Sequence, residues 1–158
     1  TGGWWQHRPL SRGHVRARST DVYEDPLIQP NYLAHSLDQE VMVAGMKIIR
    51  GLLHSPALAK YLVEETVPGV QLSTDEQLLD FCKHHGSTGY HLVGTARMGP
   101  ASDPMAVVDD SLRVRGVANL RVIDASVMPA ITSGNTYAAT LMIAEKGADL
   151  VRGKRPPG

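Results

Sequence analysis

Three histidines, His84, His85 and His91, follow the single cysteine, Cys82, closely in the sequence. A metal-binding module is one hypothesis for this cluster, because neutral imidazole is a common metal ligand. The spacing matches no standard zinc pattern, however, and no second pair of ligands follows downstream. We therefore predict that these residues hold no metal.

His91 differs from the other two histidines in its surroundings. His84 and His85 fall where a helix is predicted to end, and the helix dipole favours a cation there. His91 instead lies between Gly89 and Gly94, so we expect an irregular backbone around it. Such a histidine could act as a proton acceptor, since imidazole titrates near neutral pH. From this pattern alone, a buried and hydrogen-bonded histidine is the commoner explanation.

A second candidate site lies where a predicted strand leads through an irregular loop into the last helix. Residues 119–124 alternate in polarity, with Leu120 and Val122 on one face. The helix that begins after Asn135 carries one apolar stripe, formed by Tyr137, Leu141, Ala144, Ala148 and Val151. Its end is signalled by three residues that stop a helix, Gly153, Pro156 and Pro157.

The start of that helix could stabilise negative charge. A helix N-terminus has unpaired N–H groups and a partial positive charge, so it can hold an anion or stabilise charge that develops on a ligand. Gly134 would let the backbone come close to a flat or bulky group. Thr132, Ser133 and Asn135 are all competent N-caps. A short loop that enters a packed helix would explain the same residues.

The N-terminal half of the chain is predicted to begin with a strand and a loop. Val15 and Ala17 alternate with charged neighbours within residues 11–20, which is typical of a half-exposed strand. Residues 21–32 are predicted to form a loop, because they contain Pro26 and Pro30.

Two capping boxes predict the helices that follow. Residues 36–39 begin a helix to about residue 53, with Val43, Met46 and Ile49 (or Leu53) buried, and a short helix follows to Leu62. Residues 73–76 begin a helix to about Lys83, with Leu78, Leu79 and Phe81 apolar. Short strands are expected at 106–109 and 111–115. Separated strands and helices favour an α+β fold.

Composition excludes several classes of protein. With 158 residues and 42% hydrophobic residues, the chain has the size and composition of one globular domain. Sixteen basic and sixteen acidic residues leave no net charge and no basic stripe, so we expect no nucleic-acid partner. No apolar run reaches the roughly 20 residues that span a bilayer, and no signal peptide is visible. We expect a cytoplasmic protein, and a chain beginning with Thr1 suggests a piece of a longer one.

Five runs of residues together resemble the glucose–methanol–choline (GMC) flavin oxidoreductases. Residues 90–99, YHLVGTARMG, resemble the histidine motif of this family. Residues 107–129, with SGNT at 133–136 and MIAEK at 142–146, resemble its C-terminal signature, and residues 11–33 resemble the segment before the first helix of this region. The match covers nearly the whole chain in the right order and is closest to the choline dehydrogenase and alcohol dehydrogenase branch.

The resemblance implies a role for individual residues. His91 takes the position of the catalytic acid/base, and Asn135 takes that of the second active-site residue. Asp124, Ala125, Asn135 and Thr136 are expected to contact FAD, with the helix after Asn135 directed at the pyrimidine end of the flavin. The implied reaction is oxidation of a small-molecule alcohol by hydride transfer to the flavin.

The resemblance also implies that part of the enzyme lies elsewhere. The family's dinucleotide fold needs a Gly-x-Gly-x-x-Gly turn to hold the pyrophosphate, and no such pattern occurs here. Residues 1–118 are expected to be part of an antiparallel-sheet substrate domain with flanking helices. Residues 119–158 would form the last strand, loop and helix of the FAD-binding domain.

Three hypotheses of different classes remain open. The chain is a portion or subunit of an FAD-dependent alcohol dehydrogenase or oxidase, and its partner is then an N-terminal FAD-binding portion. Alternatively, it is an inactive stand-alone fragment that binds another protein or itself. The third hypothesis is the histidine metal-binding module. We expect that the chain alone does not retain FAD.

Overall fold

The computed structural model describes residues 1–154, so the stop predicted at Pro156 and Pro157 lies outside the described residues. Contacts between residues divide the chain into two compact units, Thr1–Thr88 and Gly89–Gly158. The boundary predicted at residues 118/119 was expected to separate two domains of a longer enzyme, and it stays a prediction. The described residues form three α-helices and one two-stranded antiparallel sheet, which is compatible with the predicted α+β fold.

The first unit begins with a short β-hairpin. Strand β1, His14–Arg16, confirms the predicted strand and pairs antiparallel with β2, Leu27–Gln29, so that Val15 lies opposite Ile28. Residues 27–29 were predicted to be loop, and that prediction is wrong. Prolines at positions 26 and 30 lack an N–H group and confine the ladder to the three residues between them, without preventing it.

Two helices form the core of the first unit. Helix α1, Ser36–Leu53, and helix α2, Asp75–His85, pack through four buried residues, Val43, Met46, Leu78 and Cys82. Ile49 and Leu53 are only half-buried. Where a short helix ending at Leu62 was predicted, the structure has the 3-10 turn Ala59–Tyr61.

Both helix starts differ from the predicted capping boxes. At α1 the imidazole of His35 accepts the N–H of Leu37, and Gln39 donates to a backbone carbonyl instead of returning to Ser36. At α2 the box is one residue later than predicted and joins Thr74 to Gln77. At α2 the neighbours Ser73 and Thr74 are both good N-caps, which local propensity does not distinguish. At α1 the cap is His35, which is not among the preferred N-cap residues, so propensity pointed to Ser36 instead.

Asp38 anchors the N-terminal segment to α1, a role that sequence reasoning missed. Its carboxylate is 2% exposed and accepts the backbone N–H groups of Leu10 and Ser11, together with the Ser11 hydroxyl. Burial raises the pKa of the Asp38 carboxyl, but hydrogen bonds from Ser11, Leu10 and Gln6 outweigh burial and hold this pKa below its usual value. The folded state therefore favours the charged carboxylate.

We expect Asp38→Asn to lower the free energy of unfolding at pH 7 by about 1.5–3 kcal/mol, because an amide cannot replace both carboxylate acceptors. The depressed pKa means that this stabilisation is complete above the unfolded-state pKa of about 3.9 and is lost as the pH falls through the folded-state value. Urea unfolding followed by tryptophan fluorescence measures this, since Trp4 donates to the α1 carbonyl of Met42.

The matched control for this measurement is Asp80→Asn, which changes an exposed carboxylate on α2 and should alter stability little. The assignment would be contradicted if the wild-type protein and Asp38→Asn had equal free energies of unfolding at pH 7. It would also be contradicted if the difference between them did not shrink between pH 5 and pH 3.

The second unit is held by single bridges instead of the predicted strands. Bridges join Met98 to Val108, Val108 to Val114, and Arg113 to Arg121. The strands predicted at 106–109, 111–115 and 119–124 therefore appear only as isolated pairings. Leu112, Gly116 and Asn119 all have positive φ, so the chain turns too often for a longer ladder. The unit's core consists of Val108, Leu112, Val127, Met128 and Ile143.

Helix α3, Tyr137–Val151, confirms the predicted last helix. Its buried residues, however, are Ile143 and Gly147, because Gly147 lies so close to Ile123 that a Cβ atom would collide with it. The predicted apolar stripe lies largely on the exposed side, with Tyr137 69%, Leu141 48% and Val151 64% exposed. The helix is thus apolar on two faces, and the core of this unit covers one of them.

The end of α3 lies where the sequence predicted it. Gly153 adopts φ +71, and its N–H donates to the carbonyl of Leu150, while the N–H of Lys154 donates to that of Asp149. Glycine reaches this left-handed conformation without strain, and such a turn satisfies the last carbonyls of a helix. No helix within residues 1–154 has both the length and the apolarity needed to cross a membrane.

Candidate active site

The loop that carries His91 is fastened to the turn that precedes α3. The backbone N–H of Ala96 donates to Ser126 at 3.0 Å, and that of Met98 donates to Val127 at 2.8 Å. Residues Ala125–Val127 form a 3-10 turn, whose start is capped by Asp124 through the backbone N–H of Ser126. The two segments that carry the predicted site are therefore joined by backbone hydrogen bonds.

The backbone around His91 is irregular, as the glycines predicted. Tyr90 has φ +59 and Gly94 has φ +89, and His91 lies in neither a helix nor a strand. A positive φ is uncommon for a tyrosine and costs of order 1–3 kcal/mol, so the surrounding contacts must hold this conformation. The result is a half-buried imidazole presented from a loop.

The structure brings His91 to the N-terminus of α3. Its Nδ1 atom lies 2.8 Å from the hydroxyl oxygen of Thr136, and its Nε2 atom lies 3.4 Å from Nδ2 of Asn135. Thr136 is 8% exposed, whereas Asn135 is exposed. The two predicted catalytic residues thus meet in space, although 44 positions separate them in the sequence.

The side chain of Asn135 contacts both α3 and His91. Its Oδ1 accepts the backbone N–H of Tyr137 at 2.8 Å, so it caps the start of α3. Thr132 instead donates to the carbonyl of Gly134, and the N-cap residue Thr136 makes no side-chain cap bond. Of the predicted candidates Thr132 and Asn135, it is therefore Asn135 whose side chain accepts an N–H of the helix. The cap uses only the amide oxygen, and the amide nitrogen remains directed at His91.

This pair of nitrogens can handle a hydroxyl group. Two atoms 3.4 Å apart can both lie within about 3 Å of one oxygen atom, which is hydrogen-bond reach. An unprotonated Nε2 would accept the hydroxyl proton of a ligand, and Nδ2 of Asn135 would donate to the same oxygen. The arrangement is suited to removing a proton from an alcohol while stabilising the oxygen that remains.

The predicted cofactor residues lie in the same unit as this pair. Asp124 is exposed with Oδ1 occupied by Ser126, and Ala125 packs against the core. The hydroxyl of Thr136 is engaged by His91. Their contacts with a cofactor stay predictions. The first turn of α3 contains no acidic residue, so its positive end is not neutralised from within the helix.

The other histidines of the cluster lie in the first unit and have structural contacts. His84 hydrogen-bonds the carbonyl of Asp80 in the last turn of α2, and His85 stacks on Phe81. Cys82 is buried, and burial raises the pKa of its thiol, which disfavours the thiolate that a metal requires. Within the described part of the chain, no group of three or more His, Cys, Asp or Glu residues could hold a metal ion.

Comparison with known proteins matches most of the chain to one family. A sequence model described as GMC oxidoreductase matches residues 9–144. Oxygen-dependent choline dehydrogenase from Cronobacter sakazakii is 48% identical over 149 residues, which cover 94% of this chain and 26% of that protein.

Solved structures show the same similarity. Pyridoxine 4-oxidase from Mesorbium loti matches with a TM-score of 0.83 at 36% identity, over 95% of this chain and 29% of that one. An FAD-dependent oxidoreductase from Chaetomium thermophilum matches with a TM-score of 0.81 at 31% identity, over 92% of this chain and 25% of that one. The chain thus spans about a quarter of the length of the relatives it matches.

Proposed function

Because the chain belongs to the GMC oxidoreductase family, we propose that it is the C-terminal portion of an FAD-dependent enzyme that oxidises an alcohol CH–OH group. The predicted resemblance to this family is confirmed by the match over residues 9–144. The observation that carries the proposed reaction is the meeting of His91 and Asn135 at the start of α3. His91 is the acid/base, and Asn135 orients the substrate oxygen.

The reaction divides the hydrogens of the alcohol between two acceptors. The hydroxyl proton passes to Nε2 of His91, and the hydrogen on the carbon leaves as hydride, so that the alcohol becomes a carbonyl compound. FAD, when bound, supplies the hydride acceptor, which no side chain can provide. The amide of Asn135 donates to the oxygen as its negative charge develops, and a hydrogen bond to a charged group is worth about 1.5–3 kcal/mol.

The residues present fit one side of a flavin. Reduced flavin carries negative charge, and the first turn of α3 offers N–H groups without a competing acidic residue. Asp124, Ala125, Asn135 and Thr136 would hold the cofactor on that side. This sequence contains no glycine-rich turn that would bind the pyrophosphate, so tight binding of FAD would come from an N-terminal FAD-binding portion.

The two parts of the chain that we propose correspond to the predicted domains. Residues 1–118 belong to the substrate domain, and residues 119–158 return to the FAD-binding domain. The relatives are named for choline and for pyridoxine, which supports a small-molecule alcohol as the substrate class. A stand-alone fragment that binds another protein is the alternative, and the exposed stripe of α3 supports it.

The test is anaerobic reduction of the flavin in the complete enzyme by alcohols. The reduction is monitored through the loss of the flavin absorbance band. We expect bleaching by a member of a panel of small primary and secondary alcohols. Asn135→Ala should slow bleaching by about 10- to 150-fold, because one hydrogen bond to a charged oxygen is lost. Flavin content should stay near the wild-type value.

Asn135→Ser is the matched control for the capping role. Serine keeps an oxygen that can accept the N–H of Tyr137 but has no amide to reach His91. We expect it to bleach as slowly as Asn135→Ala while recovering part of any loss of stability, which is about 0.5–2 kcal/mol for a cap. Normal bleaching in both variants would assign Asn135 to the cap alone, and a flavoprotein that no alcohol reduces would refute the proposed reaction.

A further inference from the structure

Thr136 lies on the side of His91 that faces away from Asn135, and its hydroxyl contacts the imidazole directly. We propose that Thr136 is a positioning residue, whose hydroxyl accepts Nδ1–H of His91 and so holds the tautomer with an unprotonated Nε2. The catalytic meaning of this tautomer rests on the proposed function. The tautomer itself is a property of the protein and can be measured without any reaction.

The direction of the bond follows from the orientation of Asn135. The backbone N–H of Tyr137 can only donate, and it lies 2.8 Å from the side-chain oxygen of Asn135. A reversed amide would set two donors against each other at this position. The end of the amide that faces His91, 3.4 Å from Nε2, is therefore the NH2 group.

An NH2 group beside Nε2 determines where the imidazole carries its proton. If Nε2 were protonated, its N–H would face the amide hydrogens, and neither side would have an acceptor. A neutral imidazole has one protonated nitrogen, so the proton belongs on Nδ1. Nδ1 lies 2.8 Å from Oγ1 of Thr136, and the hydroxyl is therefore the acceptor.

The hydroxyl of Thr136 is well placed for this purpose. Thr136 is the N-cap residue of α3, yet its side chain makes no cap bond with the helix. Thr136 is only 8% exposed, so water has little access to replace its contact with His91. The branched side chain restricts χ1, and the backbone N–H of Thr140 donates to the Thr136 carbonyl, which ties the residue to the first turn.

A base on an irregular loop gains its orientation from this contact. The loop at 86–97 contains no helix or strand, whereas Thr136 begins a helix of 15 residues. When Nε2 accepts a proton from the alcohol, Nδ1–H keeps its acceptor, so the partner need not reorganise. Thr136 acts through His91 and contacts neither reacting atom in this scheme.

The tautomer is measured in the complete enzyme, labelled with ¹⁵N-histidine and free of substrate, at about pH 8.5, where imidazole is ordinarily neutral. Long-range ¹H–¹⁵N spectra distinguish a protonated ring nitrogen from an unprotonated one, and loss of a signal in His91→Gln identifies His91. We expect Nδ1 to carry the proton. In Thr136→Val the Nδ1–H fraction should fall, and flavin reduction should slow by about 10- to 100-fold, as when the outer partner of a metal-binding imidazole is lost.

Two further variants distinguish an effect of losing the Thr136 hydroxyl from an effect of disturbing the fold. Thr136→Ser retains the hydroxyl and should restore both the tautomer and most of the rate. Thr140→Val removes a hydroxyl one turn along α3, which bonds only a backbone carbonyl, and should change neither.

The proposal would be overturned if His91 in the wild-type enzyme carried its proton on Nε2, a result that needs no variant and so decides even if Thr136→Val fails to fold. A folded Thr136→Val with unchanged tautomer and unchanged rate of flavin reduction would also overturn it. An Nδ1–H tautomer in a protein that oxidises no alcohol would support the contact and refute the proposed function.

Discussion

His91→Ala in the complete enzyme should lower the rate of flavin reduction by about 10²–10⁴-fold, the usual contribution of a positioned general base. The hydroxyl proton would have no acceptor, because Nε2 of His91 is the ring nitrogen beside the amide of Asn135. Flavin content should change little, since the side chain is not expected to hold the cofactor. Stopped-flow reduction under anaerobic conditions measures the rate, and the absorbance ratio of flavin to protein measures the content.

A matched control for this change is His84→Ala. His84 is exposed at the end of α2, hydrogen-bonds a carbonyl of its own helix, and lies in the first unit. We expect it to reduce its flavin at the wild-type rate. Equal reduction rates in His91→Ala and the parent enzyme would remove His91 from the mechanism. A loss of flavin in proportion to the loss of rate would assign His91 to the cofactor site instead.

Residues 1–158 on their own should neither retain FAD nor oxidise an alcohol. The groups proposed for the cofactor, from Asp124 to the start of α3, would contact it on one side only. No Gly-x-Gly-x-x-Gly turn is present in the sequence to bind the pyrophosphate. Purified chain mixed with FAD and then desalted should contain no stoichiometric flavin and show no turnover. Stoichiometric flavin with turnover of an alcohol would overturn this prediction.

The same chain should also self-associate or pair tightly with a complementary N-terminal fragment. The exposed stripe of α3 includes Tyr137, Leu141 and Val151, and Met142 beside it is 61% exposed. A contiguous apolar patch larger than a few hundred Å² usually marks an interface or a site of aggregation. Light scattering coupled to size exclusion measures the mass in solution.

Two substitutions on α3 test whether this face is responsible. Leu141→Lys should shift the mass toward the monomer, because it places a charge within the apolar stripe. Glu145→Lys changes an exposed charge on the same helix and should leave the association in place. A monodisperse monomer of the unsubstituted chain, or equal association in both variants, would show that the stripe of α3 is not an interface.

Helix existence could be predicted from the sequence because helices depend on local signals. Helix α1 and helix α3 both begin and end within about two residues of their predicted bounds, and α2 extends to His85 instead of Lys83. Periodic apolar residues and a terminal glycine act over a few residues, so they can be recognised without the fold. The isolated bridges of the second unit could not be predicted, because residues 119–124 alternate in polarity like a strand although only a single bridge, at Arg121, forms there.

The buried face of α3 was decided by tertiary packing. The stripe through Tyr137 and Leu141 is the more continuous apolar face in the sequence, yet Gly147 and Ile143 form the buried side. A glycine adds little to an apolar stripe, but its missing side chain lets Ile123 approach the helix axis. Hydrophobic periodicity measures which residues avoid water, and it does not measure which surfaces fit together.

The sequence by itself determined the family and identified the proposed site residues, His91 and Asn135, because the motifs that contain them are contiguous. Only the tertiary structure joined the two motifs, through backbone bonds from Ala96 and Met98 to the turn before α3. It also placed Thr136 against His91 across 45 positions, a contact that no spacing rule signals. Local patterns encode what a residue can do, whereas its partner depends on how distant segments meet when the chain folds.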